Sequence, residues 1–339
     1  MFGIRNRLRS SARLQRLRAL LRKPAPIILM YHRVAELPYD PWSLCVAPSR
    51  FAEQLRSLVG ARSVVSMDTL VRRLVRGELN GREVAISFDD GYVDNLTVAK
   101  PLLEQVSAPA TVFLTSGRLG ASEEFWWDEL AHMCLGGTSA ISARVELAGR
   151  IVELELASRT FPATSAWTWE LPPGNERERV YLQLWNLLQR VDETTRRECM
   201  ERLRQVLGKP AAAPGNLPMR REDVPKLING GLISVGGHAR THLALSTLSS
   251  SDKRSEIAES KRDIESLTGR PVSGFAYPFG DRDEEAKQLT EQAGYTWAVS
   301  THAAALRPRP DLFDLPRLQV LNWTGPQLLQ QLSQLRPAA

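Results

Sequence analysis

The sequence predicts an α/β fold built on a mostly parallel sheet, open or closed into a barrel. Three observations predict it. Short apolar runs alternate with amphipathic helical segments along most of the chain. Polar side chains, His32, Asp89 and Asp90 among them, collect at the carboxyl ends of those runs, where such sheets gather functional groups. The 339 residues, 43% hydrophobic and 24% charged, suit one barrel-like unit carrying an insertion.

The elements follow in order. APIILMYHRV (25–34) reads as a short buried strand ending in the polar pair His32 and Arg33. Residues 35–47, with Pro38 and Pro41, read as loop. APSRFAEQLRSLV reads as a helix, with Ser49 as N-cap and Phe51, Leu55, Leu58 and Val59 on one side. SVVSMDTLVRRLVRG gives a short strand and a helix ending at Gly77. EVAISFDD is the next strand. DNLTVAKPLLEQV is a helix bent or restarted at Pro101, and PATVFLTSG is a strand with Thr115 at its end.

Residues 125–220 break this rhythm. FWWDELAHMCL reads as a helix, ARVELAGRIVELELAS as a hairpin with a Gly-Arg turn, and residues 176–208 as two amphipathic helices. The expected organisation is therefore a basic arm over 1–23, a barrel over 24–124 and 221–339, and an α+β insertion over 125–220 covering one side of the site. After it MRREDVPKLINGG is helical, LISVGGH is a strand, and residues 252–268 form a charged helix stopped at Gly269. VSGFAYPFG is strand and loop, DEEAKQLTEQAG a helix, YTWAVST a strand and FDLPRLQV the last strand. TGPQLLQQLSQL is a closing helix with Pro326 near its start.

Net charge is +6, and much of the excess is local. Residues 1–23 hold seven arginines, one lysine and no acid. The remainder is close to neutral, so nucleic-acid binding is not expected. The arm reads either as a solvated terminus or as a basic amphipathic helix on anionic lipid, with Leu8, Leu14, Leu17 and Leu21 as its apolar side. It lacks the apolar core and cleavage site of a secretory signal. Cys45, Cys134 and Cys199 are odd in number and lack metal-type spacing, as in a reducing compartment. The expectation is a cytoplasmic protein, with the arm a candidate for peripheral contact at the membrane's inner face.

The chemistry starts at ISFDDGYVDN (86–95). Neighbouring side chains of a strand face opposite ways, so adjacent Asp89 and Asp90 cannot share one face of a buried strand. At the strand's carboxyl end both can reach one pocket, and Gly91 allows a sharp exit. Such a pair suits a division of labour, one carboxylate on a metal and the other taking a proton. His238 and His242 follow a strand and two glycines in SVGGHARTHLAL. With Asp90 they make an Asp-His-His set, three protein ligands with open positions, which suits a catalytic divalent metal, zinc first among them. Asp89 would then be ionised and free to act as base. Asp94 and Asn95 read as helix-start caps; Trp126 and Trp127 could stack on sugar rings, but read first as residues that join the insertion to the barrel.

FDDGY, GGHARTH and FAYPFG occur in this order, each at the end of an expected strand. Together they resemble the polysaccharide deacetylase superfamily, the nodulation-factor-type deacetylases of carbohydrate esterase family four. MYHRV and FWWDEL resemble a bacterial branch associated with surface polysaccharide. The resemblance covers 25–325 outside the insertion. It implies a distorted (β/α)-barrel of about seven parallel strands. It also implies that Asp89 is the base, that Asp90, His238 and His242 hold the metal, and that an N-acetyl group on a hexosamine is hydrolysed. The Tyr92 backbone N–H is the expected oxyanion donor, and Tyr277, Pro278 and Phe279 the expected wall beside the acetyl group.

Two positions depart from the family pattern. An arginine is usual two residues before the third motif's proline, and here that position is Ala276. Arg317 in LPRLQV is the candidate substitute. The usual histidine acid of a terminal strand is missing from 315–323, and His32 is its candidate replacement, with His302 as runner-up. His132 reads as structural. The leading function is a metal-dependent N-deacetylase of a bacterial polysaccharide or glycolipid. The alternatives are an O-acetyl esterase or small-amide amidase with the same site, or a degenerate glycan-binding domain. For the arm, deletion of residues 1–23 is expected to abolish co-sedimentation with anionic liposomes. Unchanged sedimentation removes its membrane role.

Overall fold

The structure is a computed structural model that describes residues 24–158 and 167–337. The basic arm lies outside the described residues. Eight parallel strands form the main sheet: β1 (Ile27–Tyr31), β2 (Ser63–Val64), β3 (Glu83–Phe88), β4 (Ala110–Leu114), β7 (Ile233–Gly237), β8 (Gly274–Ala276), β9 (Trp297–Val299) and β10 (Leu318–Gln319). Seven of them follow one path in the order β10-β1-β3-β4-β7-β8-β9, and the two-residue β2 pairs with the start of β3. The expected distorted (β/α)-barrel is thus the observed one.

The sheet curls, and one segment bridges its two edges. Leu315 donates its N–H to Ala298 O at 3.0 Å, and Ser300 donates to Leu315 O at 2.9 Å, both on the β9 side. A few residues on, Leu318 and Gln319 pair with Leu29 and Met30 of β1. Arg317 therefore stands at the seam of the barrel.

Period-2 alternation divides the strands between two layers. Ile28, Ala85, Phe113, Ala276 and Val299 face the barrel interior and cluster together. Helix α2 (Met67–Arg76) adds Met67, Leu70, Val71 and Leu74 to this cluster. Ile27, Leu29, Tyr31, Val84, Ile86, Phe88, Val112 and Leu114 face outward, onto the helices. Helix α1 (Pro48–Ala61) answers them with Phe51, Leu55 and Leu58. Its N-cap is Ala47 rather than the expected Ser49, because Pro48 supplies a preset φ at the first helical position and needs no N–H partner. The helix expected around Pro101 is a π-helical turn, Asn95–Ala99, running into α3 (Lys100–Gln105), a break that follows from proline's missing N–H.

Between β4 and β7 the chain builds a second core. It comprises α4 (Trp126–Ala131), the hairpin β5 (Ile141–Leu147) and β6 (Arg150–Leu156), α5 (Glu176–Leu188) and α6 (Glu193–Leu207). The hairpin turn is Ala148-Gly149, one residue before the expected Gly-Arg, with both residues at positive φ as a two-residue turn requires. Asn175 and Asp192 cap α5 and α6 with their side chains. Leu130, Leu147, Leu154, Tyr181, Leu184 and Leu203 are buried together there, with Tyr39 from the loop after β1. After β7 come α8 (Ser250–Thr268), α9 (Glu284–Gln292) and α10 (Gly325–Gln334), and before it the short α7 (Val224–Ile228). Among the described residues no helix is long and apolar enough to cross a membrane.

One glycine holds the interior open. A Cβ on Gly236 would lie 2.5 Å from the Phe113 ring and 2.8 Å from the Gly274 carbonyl oxygen. The latter is backbone and cannot step aside. Gly236→Ala is expected to cost about 1–3 kcal/mol of stability through overpacking. A urea titration with an unchanged midpoint would contradict this account.

Candidate active site

Four side chains at the carboxyl ends of β3 and β7 converge. Asp89 is buried, with 2% exposure, and its N–H donates to Tyr31 O across the β1 edge. Arg317, wholly buried, donates from Nη1 to Asp89 Oδ1 at 2.7 Å and from Nη2 to Oδ2 at 2.6 Å. This is the bidentate fork that fixes a carboxylate in orientation as well as charge. The fork is itself held. Arg317 Nε donates to Ser300 O at 2.9 Å, and Nη1 also reaches Ser87 Oγ at 3.1 Å. The guanidinium lies over the Phe113 ring at 5.6 Å. Burial works to raise the Asp89 carboxyl. Arg317 and then His238 outweigh it, and the group sits below the usual carboxylate range.

Asp90 turns the other way because its backbone is left-handed, with φ 73. His242 at φ 61 and Phe279 at φ 58 share this strained region. Asp90 Oδ1 lies 3.4 Å from His238 Nε2 and 3.2 Å from His242 Nε2, with no aligned donor of its own. His238 Nδ1 donates to Ala276 O at 2.7 Å, which aims the Nε2 lone pair at Asp90. The three ligand atoms lie within 4.8 Å of one another, all buried. A buried carboxylate oxygen without a hydrogen-bond partner, with two imidazoles gathered beside it, is a donor set for a divalent cation. Burial drives the His242 imidazole down to about 4, so it is neutral and can offer a lone pair. Burial also lowers His238, but Asp89 and Asp90 outweigh it and leave that ring raised.

These groups line a cavity of about 250 Å³. His32 lines it too, with a buried Nδ1 that has no hydrogen-bond partner. Its carbonyl is held by Asn95 Nδ2 at 2.9 Å. His302 is exposed and stands outside the cavity lining, and His132 pairs with Glu124 at 2.9 Å within the second core region.

Several expectations are corrected. Phe279 lines the cavity and packs on His242 with ring centroids 4.5 Å apart. Tyr277 does not line it. Strand alternation sends Ala276 inward and Tyr277 outward, where its hydroxyl donates to Phe313 O. Pro278 is buried and does not line the cavity. The Tyr92 side chain is likewise outside the cavity, under the Arg33 guanidinium and hydrogen-bonded to Asp128, so only its backbone remains for an oxyanion. Asp94 stands at the N-cap position of the Asn95–Ala99 turn but its side chain makes no cap bond; it takes Arg33 Nε at 3.0 Å and Val34 N at 3.1 Å. Trp127 is a wall residue, its ring 4.7 Å from that of His242, while Trp126 packs away under Arg196. The residues that sequence reasoning missed are Trp42, Trp169, Trp185, Gln189 and Gln319, all on the lining. The one sequence signal for the three tryptophans was their unusual number in the chain, eight.

Comparison with known proteins follows the same lines. The polysaccharide deacetylase family model matches residues 76–146 and 185–298, more than half of the chain. YxkH of Bacillus subtilis, whose name places it among the polysaccharide deacetylases, is 30% identical over 88 residues. That match spans 26% of this chain and 32% of the relative, about a third of its length. Three similar solved structures are PplD, a deacetylase of Streptococcus pyogenes in complex with acetate, IcaB of Ammonifex degensii, and a de-N-acetylase of Aggregatibacter actinomycetemcomitans. Their TM-scores are 0.55, 0.55 and 0.53 at 18%, 17% and 15% identity. The matches cover 92%, 91% and 91% of this chain and 99%, 97% and 99% of those chains. At such identities the likeness is one of fold.

Removing Arg317 would leave a buried carboxylate alone. Arg317→Ala is expected to destabilise the protein by ~3–5 kcal/mol near neutral pH. The sign with pH follows from Asp89, whose carboxyl is depressed in the folded wild type. That contribution is present above the unfolded carboxylate range and is lost as pH falls through the folded value. The gap between wild type and variant should therefore shrink towards acid. Urea midpoints at neutral pH and at a pH well below 4 measure it, and a gap that widens at low pH would refute the pairing.

Proposed function

Because the chain belongs to the polysaccharide deacetylase family, we propose that it is a hydrolase that removes N-acetyl groups from hexosamine units of an acetylated glycan. One observation carries the reading. Asp89, clamped by Arg317, borders the same cavity as Asp90, His238 and His242. A module that only binds glycan has no use for an oriented base beside a lone-pair triad.

Asp90, His238 and His242 are the residues that would hold the cation, and zinc suits the set. When bound, the cation supplies Lewis acidity to an acetyl carbonyl and to a water. Asp89 takes the proton from the attacking water as the new C–O bond forms. Arg317 keeps that carboxylate ionised and pointed through the fork. The Tyr92 N–H, which follows the tight Asp89-Asp90-Gly91 exit, would donate to the developing oxyanion. His32 gives a proton to the departing nitrogen as the C–N bond breaks. The products are acetate and a free amine. Trp127 and Phe279 flank His242 and keep bulk water from that side of the cavity.

The purified protein incubated with N-acetylglucosamine oligomers should release acetate and expose an equal amount of new amine, and a chelator should stop both. Acetate from O-acetyl sugars alone would make it an esterase. Asp89→Asn should retain the metal and lose about 10²–10⁴-fold in kcat, the span of a general base. His238→Ala should lose the metal by elemental analysis. Full turnover in Asp89→Asn would overturn the assignment of the base.

A further inference from the structure

We propose that Trp169, stacked on Trp42 at the mouth of the cavity, binds the face of the sugar adjoining the reacting one in a β-linked N-acetylhexosamine oligosaccharide. The inference rests on the deacetylase reading and extends it from one sugar to a chain.

Trp169 is 50% exposed, and Leu171, two residues on, is 55% exposed. They are two of only five large apolar side chains so exposed among the described residues. An indole half in water gains by being covered. Its position is not loose. The Trp169 backbone N–H donates to Pro41 O at 2.9 Å, and Trp167 Nε1 donates to Leu171 O at 3.1 Å. The Trp169 and Trp42 rings are stacked at 5.5 Å and 25°. Trp42 is fixed in turn by its Nε1 bond to Tyr181 Oη at 2.7 Å and by Trp185 at 4.0 Å. A rigid flat π surface thus leads from outside to the metal ligands through one continuous lining.

The occupant is argued from shape and polarity. At about 250 Å³ the cavity lies at the small end of ligand sites, so a second sugar must sit beyond its mouth. One face of a β-linked pyranose presents axial C–H bonds, which are electropositive at hydrogen and match the negative face of an indole. Hydroxyls ring its edge. Gln319 spends both amide hydrogens on Trp42 O and Ser43 O, so the group it has left for a hydroxyl is its oxygen. Gln189 adds a second carboxamide to the lining. An alkyl chain would have no use for either amide.

The test compares the tetramer of N-acetylglucosamine with the monomer. Trp169→Ala should narrow the ratio of kcat/KM for tetramer over monomer by about tenfold and weaken tetramer binding, read by tryptophan fluorescence, to the same degree. Trp169→Phe should restore most of both. Ile151→Ala, an exposed apolar change on the β5–β6 hairpin, controls for surface effects and should alter neither. A ratio and affinity equal to wild type in Trp169→Ala overturn the proposal. So does a wild-type protein that fails to bind the tetramer, or that binds a dodecyl-chain amphiphile in its place. Tetramer affinity that falls in Trp169→Ala, in a protein that releases no acetate, upholds the subsite and sinks the deacetylase reading instead.

Discussion

The buried fork between Arg317 and Asp89 organises the rest of the structure. A guanidinium and a carboxylate both removed from water are costly, and only near-ideal geometry with every remaining donor satisfied makes the pair tolerable. The barrel meets those terms by placing Arg317 at its seam, where the segment that bridges β9 and β1 must pass. Ser300 and Ser87 take one further donor each, and the Phe113 ring forms the floor. Phe113 in turn needs Gly236, so a packing constraint on β7 reaches the carboxylate on β3.

That fork also separates the two adjacent acids. Asp89 continues the strand and points at the seam, whereas Asp90 takes a left-handed backbone and points at the imidazoles. Left-handed φ at Asp90, Ala239, His242 and Phe279 places four of the seven such non-glycine residues, among those described, in or beside one site. Strain of this kind persists where surrounding contacts over-determine it. Here the rings of Trp127 and Phe279 on His242, and the Ala276 carbonyl on His238, supply those contacts.

The rim has a different origin. Trp42 comes from the loop after β1, while Trp127, Trp169 and Trp185 come from the stretch between β4 and β7. The chemistry therefore sits on strand ends and its surroundings on connections, the usual arrangement of a barrel whose loops diversify what it accepts.

By itself the sequence determined the layers and the local chemistry. Period-2 runs and helical periods are short-range properties, so the strand order of events, the acids at the end of β3 and the histidines after β7 were legible from neighbours in the chain. So was the helix break at Pro101, which follows from one missing N–H. Tertiary structure alone decided what depends on contacts between distant residues. It brought Arg317, in the sequence no more than a candidate, to Asp89 across 228 positions. It turned Tyr277 outward, since which of two alternating residues faces the interior depends on register with β7 and β9. It made Asp94 the partner of Arg33, where an aspartate at a helix start reads locally as a cap. And it gathered four tryptophans from two connections around one cavity, because aromatic rings carry no local periodicity that would say which of them meet.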